Sequence, residues 1–159
     1  MNVRLDNGSR AAQEDIDALT KMIGETLPAD FLDFVAGNDG ARPELNIFTI
    51  SDDNHGTVTR FIPVREIPNE MSFMENLPDK AFPLAWDTSG NYVVLDQGAG
   101  GAVFFWDHEL PRESFKLANS FGEFLEALEP FSEPVDSDAE VISVWVDPEF
   151  LKKYGKKSE

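Results

Sequence analysis

The chain has 159 residues, and its contents of 42% hydrophobic and 27% charged residues predict one globular domain rather than a disordered chain. Thirty acidic residues against 13 basic ones give a formal net charge of −17, which argues against nucleic acids and anionic membranes as partners and favours basic proteins. Because the chain has no cysteine, disulfides, thiol catalysis and cysteine metal sites are excluded.

Two helices are predicted at the start of the chain. Apolar residues spaced by three and four positions indicate a first helix over residues 9–23, and Gly24 is a suitable end for it. The second helix is expected to begin at Pro28, whose fixed φ suits a first helical position, and to end within residues 37–40. The residues expected to face the core are Ala12, Ile16, Leu19, Ile23, Phe31, Phe34 and Val35.

Five short strands are predicted next. They cover residues 45–50, 60–64, 82–86, 91–95 and 102–106, which are rich in β-branched and aromatic residues. Residues 51–56 are expected to form a polar loop, and the glycine-rich residues 96–101 a hairpin loop.

A further helix follows the strands. Ser120 and Glu123 have the spacing of a capping box, and the apolar residues after Ser120 recur at helical spacing until Pro130 ends the helix. The acidic residues 131–139 predict a loop, residues 141–146 a strand, and Asp147 the N-cap of a short lysine-rich C-terminal helix. This order of elements predicts an α+β fold, with a largely antiparallel central sheet of about five to six strands flanked by helices, in one domain over residues 1–159.

The local cluster most similar to a catalytic or metal site is Trp106-Asp107-His108-Glu109. On a continuous strand, Asp107 and Glu109 would share one face and His108 would point to the other, which makes chelation awkward. We therefore favour a turn in which Asp107 accepts hydrogen bonds from nearby backbone amides. The glycine and aspartate runs match no phosphate, calcium or serine-nucleophile motif, so we expect neither a metal nor a cofactor.

The sequence shows no sign of export or membrane insertion. Residues 1–12 are polar, and no run of about 18 apolar residues occurs, so we expect a cytoplasmic protein. Trp86, Trp106 and Trp145 fit core positions, which we favour, or anchors in a protein interface.

The sequence resembles the SUKH superfamily over about residues 10–130. The similarity begins with residues 27–34, Asn38 and Gly40, and continues with residues 62–67. Asp39 stands where the family usually has a glycine. The most specific residues are Trp86, Asp87, Gly90, Asn91 and Asp96, followed by Trp106, Asp107, His108 and Glu109. Residues 131–159 lie outside the shared pattern and are interpreted as a variable addition.

The resemblance implies a SUKH-like α+β domain without enzymatic activity. Bacterial members are mostly immunity proteins that bind and neutralise a cognate toxin domain, often a nuclease, whereas fungal members include regulators of cell-wall assembly. We expect a bacterial immunity protein of a polymorphic toxin system that occludes a basic nuclease domain. A regulatory or scaffold module is the alternative, and a hydrolase or metal protein using Asp107, His108 and Glu109 is a third hypothesis. The sequence does not indicate an oligomeric state.

Two groups of carboxylates are candidates for the toxin contact. The first group lies in the predicted acidic loop and contains Glu133, Asp136, Asp138 and Glu140. The second group contains Asp52, Asp53, Asp87, Asp107 and Glu109. For the first group the alternative is a solvated loop, and for the second it is aspartates that form turns. Acidity also keeps a protein soluble without any partner.

Overall fold

The computed structural model describes residues 5–110 and 115–130. These ranges form four α-helices, nine strands and two single-turn 3-10 helices, at Val64–Glu66 and Gln97–Ala99. The helices are α1 (Gln13–Ile23), α2 (Ala29–Asn38), α3 (Ile67–Met71) and α4 (Phe121–Glu126). The strands are β1 (Leu5–Asp6), β2 (Arg42–Pro43), β3 (Leu45–Ser51), β4 (Asn54–Phe61), β5 (Ala81–Asp87), β6 (Tyr92–Asp96), β7 (Ala102–Trp106), β8 (Phe115–Ala118) and β9 (Glu129–Pro130).

The main sheet confirms the predicted α+β class. Seven strands lie in the order β8-β7-β6-β5-β4-β3-β9, and every neighbouring pair is antiparallel. The predicted number of five to six strands was slightly too low, because β8 and β9, with four and two residues, are too short to give a recognisable pattern. The strand predicted over residues 141–146 lies outside the described residues. Strands β1 and β2 form a separate two-stranded sheet.

The sheet curls around a core of aromatic side chains. Phe48 of β3 lies 5.8 Å from Phe105 of β7 between ring centroids, although three strands separate β3 and β7 in the sheet. Phe31 of α2 makes edge contacts with Phe82 of β5 at 5.3 Å and with Phe121 of α4 at 5.6 Å. Helices α2 and α4 therefore cover the concave face of the sheet.

Alternation along the strands produces a second, smaller core on the other face. Val93 and Leu95 of β6 belong to the main cluster, whereas Val94, between them, packs in a cluster with Met74, Ala81 and Trp106. Successive side chains of a strand point to opposite faces, so this separation follows from the pleat.

The start of α1 differs from the prediction. The helix begins at Gln13 and not at residue 9, because Ser9 forms a bridge with Asp39 through hydrogen bonds of 3.1 and 2.7 Å. Ala12 consequently is the N-cap and is exposed, contrary to its predicted core position. The end at Gly24 is confirmed, with φ of 84°. Helix α2 begins one residue later than predicted, and Pro28 is its N-cap.

The prediction of a polar loop over residues 51–56 was wrong for most of this range. Only Asp52 and Asp53 form the turn, because Ser51 pairs with Asn54 and Thr49 pairs with His55. Gly56 is buried, and a side chain at this position would overlap the ring of Phe48 on the paired strand. Strand β4 also ends at Phe61 and not at Val64, which starts a 3-10 turn. Pairing with β3 extended the strand into a segment whose exposed polar residues gave no strand signal.

The short helix α4 follows the prediction at its N-terminus. The hydroxyl of Ser120 accepts a hydrogen bond from the amide of Glu123 at 3.1 Å, and the Glu123 carboxylate accepts one from the Asn119 amide at 2.5 Å. The four predicted core residues of this helix, Phe121, Phe124, Leu125 and Leu128, are buried. The helix ends at Glu126, before Pro130, which pairs with Leu45 in the sheet.

Asp39 is a buried carboxyl group at the junction of three segments. Its backbone pairs with Ser9, and its Oδ1 accepts a hydrogen bond from the Val64 amide at 2.9 Å. Burial raises the pKa of the Asp39 carboxyl above its ordinary 3.8, although the Val64 hydrogen bond and the charge of Arg65 oppose this rise. The ionised side chain is therefore less favourable in the folded chain than in the unfolded chain.

We expect Asp39→Asn to change the pH dependence of stability. A raised folded pKa contributes stability below the unfolded pKa, and this contribution is lost as pH rises through the folded pKa. Asparagine keeps an oxygen for the Val64 amide but does not ionise. The free energy of unfolding of the wild type relative to Asp39→Asn should therefore fall as pH rises from about 3.5 towards neutrality. Urea denaturation of both proteins across this range tests the expectation, and parallel pH profiles would contradict it.

Candidate protein-interaction site

Three turns lie at the same end of the main sheet. The β3–β4 turn is Asp52-Asp53, β5 ends at Asp87 opposite Val58 of β4, and β7 ends at Trp106 opposite Tyr92 of β6. Because neighbouring strands are antiparallel, the end of β3, the end of β5 and the end of β7 share the same side. Four predicted contact residues lie in the turns of this side: Asp52, Asp53, Asp107 and Glu109. We call them the acidic end.

Asp87, the fifth residue of that predicted group, is placed differently. It is 8% exposed, and its two carboxylate oxygens accept hydrogen bonds from the amides of Thr57 at 2.8 Å and Ser89 at 3.1 Å. The first bond fixes β4, and the second closes the turn that follows β5. Asp87 therefore holds the two strand ends together, and its side chain does not form part of the exposed surface.

Gly90 and Asn91, the next motif residues, connect the β5–β6 turn to His108. Gly90 has φ of 85°, a left-handed conformation that favours glycine, and its Cα faces the ring of His108. The buried Asn91 accepts a hydrogen bond from the His108 amide at 2.9 Å, and its Oδ1 lies 2.5 Å from His108 Nδ1. Since an amide oxygen only accepts, Nδ1 carries the proton in this arrangement. The motif thus ties the β5–β6 turn to the segment after β7.

The interpretation of Asp107 as a turn residue is confirmed. Strand β7 ends at Trp106, and Asp107 Oδ1 accepts a hydrogen bond from the Glu109 amide at 2.8 Å while its carbonyl accepts one from Leu110 at 2.9 Å. His108 Nε2 lies 3.7 Å from the Glu109 carboxylate. Among residues 5–110 and 115–130, no group of three or more potential ligands is arranged to hold a metal ion.

The surface of the acidic end combines charge with one apolar side chain. Asp52, Asp53 and Glu109 are exposed and Asp107 is half-buried, while Leu110, the next residue of the turn, is 44% exposed. Carboxylates and an exposed apolar side chain on one side of the sheet suit a basic protein surface. The other candidate group, Glu133, Asp136, Asp138 and Glu140, lies outside the described residues.

The remaining motif residues stabilise the sheet. Asp96 Oδ1 accepts a hydrogen bond from the Gly98 amide at 2.8 Å, which closes the β6–β7 turn. Trp106 is buried at 8% exposure and makes an edge contact with Tyr92, so the core position favoured for it is confirmed. Trp86 is half-buried and donates from Nε1 to Glu70. Trp145 lies outside the part of the chain that is described.

Glu70 is a residue that the sequence did not reveal. One of its oxygens, Oε1, accepts hydrogen bonds from Trp86 Nε1 at 3.1 Å and from the Tyr92 hydroxyl at 2.7 Å. Burial of the Tyr92 hydroxyl is the main cause, and its hydrogen bond to Glu70 the second, of the rise in the pKa of Tyr92 to about 12. These contacts fix helix α3 to strands β5 and β6. No local pattern marks Glu70, because its partners lie 16 and 22 positions away.

Comparisons with known proteins agree with the fold and its motif. The sequence profile of the SMI1 / KNR4 family (SUKH-1) matches residues 10–127, which include α1 to α4 and β2 to β8. No curated protein was found to be similar to the chain. Within the described ranges, no helix is long and apolar enough to cross a membrane.

Proposed function

The chain belongs to the SMI1 / KNR4 family (SUKH-1), which supports a toxin-immunity or related function, and we propose that it is an immunity protein that neutralises a cognate bacterial toxin domain. The observation on which this proposal depends is the family match, because it spans residues 10–127 of the 159. Neutralisation occurs by occlusion, with this protein bound over the surface that the toxin uses for its own substrate. The interaction takes place in the cytoplasm, in keeping with a chain that contains no cysteine.

The charge of the chain supports a basic partner, and we propose a nuclease. A nuclease binds a polyanion, so its working surface is basic. A protein of net charge −17 that displays Asp52, Asp53 and Glu109 on one exposed end attracts such a surface over long distances. Steering of this kind raises association rates to about 10⁸–10⁹ M⁻¹s⁻¹ at low salt. The carboxylates then occupy the positions of substrate phosphates.

The proposal includes the absence of catalysis by Asp107, His108 and Glu109. The Asp107 carboxylate is hydrogen-bonded to the turn, and His108 Nδ1 is directed to Asn91. A general base needs a free ring nitrogen within reach of a substrate and a second group that orients it. Asn91 orients the ring and leaves Nε2 free, but His108 and Glu109 are exposed to solvent, and the Asp107 carboxylate is already hydrogen-bonded to the Glu109 amide. The cluster therefore supports a turn better than it supports acid–base chemistry.

The test is binding of the purified protein to the C-terminal domain of a toxin encoded beside it, at low and at high salt. We expect tight binding that weakens with salt, since exposed charges are screened over about 8 Å at physiological ionic strength. Addition of the protein should abolish the toxin's activity, and co-expression should rescue growth. Absence of binding, together with capture of host proteins by this chain, would instead favour a regulatory scaffold.

A further inference from the structure

Three large apolar side chains of the described residues are strongly exposed. Phe73 is 69% exposed, Met22 is 50% exposed and Leu110 is 44% exposed. Leu110 adjoins the acidic end, whereas Met22 and Phe73 belong to a different part of the surface. Met22 lies in the last turn of α1, and Phe73 follows Ser72, the C-cap of α3. Isolated exposed apolar residues need no explanation, but two beside one concave surface do.

The concave surface is a groove between α1, α3 and the segment that leads into β5. Its volume is about 380 Å³, and Ser72 and Met74, the neighbours of Phe73, both line it. The apolar lining residues are Met22, Pro68, Met71, Met74, Leu77 and Pro78. We call it the methionine groove. Methionine side chains are flexible and polarisable, and they adapt to the apolar face of a bound partner.

The walls of the methionine groove are fixed by contacts outside it. Glu70 of α3 is held by Trp86 and Tyr92, as described above. At the other end of the wall, Lys80 Nζ forms an ion pair with Glu25 at 2.5 Å, which joins the start of β5 to the segment after α1. The groove is thus formed before any partner binds, which lowers the ordering cost of association.

The charges around the groove select the kind of partner. Residues 66–79 contain four carboxylates and no Lys or Arg. Glu75 and Asp79 form no ion pair with a described residue, whereas the flanking cations Arg65 and Lys80 lie within 4 Å of Glu66 and Glu25. Lys21, the residue before Met22, is a basic residue next to this otherwise acidic region. A second copy of the chain would bring another charge of −17, so self-association through this surface is electrostatically unfavourable.

We propose that the methionine groove binds the apolar face of a basic amphipathic helix of the partner protein. The apolar side chains of that helix contact Met22, Phe73 and the groove, and its Lys or Arg residues face Glu75 and Asp79. Helices of this type recognise apolar grooves through residues at positions i, i+3, i+4 and i+7. The inference rests on the proposed function in one respect, since it takes the toxin as the source of the helix.

The test uses a synthetic peptide of leucine and lysine, about 18 residues long, with leucine at i, i+3, i+4 and i+7. Calorimetry should show that Met22→Asp and Phe73→Asp each weaken its binding by about tenfold or more. Ala36→Asp is the matched control and should change the affinity by less than about twofold, because it adds the same charge at an exposed apolar residue of α2, outside the groove and the acidic end. Added negative charge attracts a basic peptide, so a loss of affinity reports lost apolar contact.

Several outcomes would overturn the inference. Equal binding of a scrambled peptide of the same composition would show attraction by charge alone, and equal losses in Ala36→Asp would show no preference for the groove. A wild-type dimer that Phe73→Asp dissociates in sedimentation would make the groove an interface between copies. With the toxin domain itself, unchanged affinity of Met22→Asp and Phe73→Asp would reject the groove and leave the proposed function standing. Binding of the peptide but not of the toxin would reject the proposed function and support the groove.

Discussion

Reversing the charges of Asp52, Asp53 and Glu109 to lysine together is expected to weaken binding of the cognate toxin domain by well over tenfold. All three residues are exposed at the acidic end, so the change leaves the core untouched. A tenfold loss of affinity corresponds to about 1.4 kcal/mol of binding free energy, which is about 0.5 kcal/mol for each of the three lost ion pairs. Exposed ion pairs contribute about 0.2–1 kcal/mol, and replacement of attraction by repulsion adds to the loss.

A matched control separates contact from overall charge. Asp17, Asp33 and Glu126 are also exposed but lie on helices α1, α2 and α4, so changing them to lysine alters the net charge equally. The control variant should lose part of the association rate and little of the affinity at physiological salt. Equal losses in both variants would show that only the net charge matters.

An unchanged affinity in the first variant would exclude the acidic end as the toxin contact. The other predicted group then becomes the candidate, and reversal of Glu133, Asp136 and Asp138 should produce the loss of well over tenfold instead. Association rates measured by surface plasmon resonance at two salt concentrations distinguish these cases, because steering changes the association rate and lost contacts change the dissociation rate.

Replacing Asp87 with alanine is expected to lower the free energy of unfolding by about 2–4 kcal/mol. The buried carboxylate accepts hydrogen bonds from the amides of Thr57 and Ser89, and alanine leaves both amides without this acceptor. Hydrogen bonds to a charged group contribute about 1.5–3 kcal/mol each, and relaxation of the exposed Ser89 towards solvent reduces the loss. Urea denaturation followed by circular dichroism measures the change.

Two further variants define the cause of that loss. Asp87→Asn keeps one oxygen for Thr57 and brings an amide group towards the Ser89 N–H, so it should lose about half as much stability. Asp107→Ala removes a half-buried carboxylate that accepts one bond, from the Glu109 amide, and should cost less than about 1 kcal/mol. If Asp87→Ala unfolds at the same urea concentration as the wild type, the carboxylate does not hold the strand ends together.

Local patterns in the sequence were sufficient for the elements that local interactions define. Strand β7 has the predicted bounds, residues 102–106, and Ser120 caps α4 as predicted, although the Glu123 carboxylate accepts from the Asn119 amide and not from the amide of Ser120. Alternation in a strand and the N-cap of a helix depend on residues at most four positions apart, so the chain encodes them directly. The family motif was also recognisable from residues alone.

Elements without a local period were predicted poorly. Helix α3 has five residues and includes Pro68, and β9 has two residues, so neither shows a recognisable spacing. The β3–β4 hairpin extends through exposed polar residues because each strand supplies the other's backbone partners. Pairing of this kind is a property of two segments and is not visible in either one.

The sequence by itself determined the α+β class, the motif residues and the acidic charge of the chain, because composition and short-range spacing are sufficient for these properties. Only the tertiary structure decided the role of each motif residue. Asp87 reaches Thr57 across 30 positions, Asn91 reaches His108 across 17, and Glu70 joins Trp86 and Tyr92. The sheet decides which segments lie beside a carboxylate. Where backbone amides lie beside it, the carboxylate accepts hydrogen bonds from them, and elsewhere it stays exposed. That choice separates the buried Asp87 from the exposed Asp52 and Asp53.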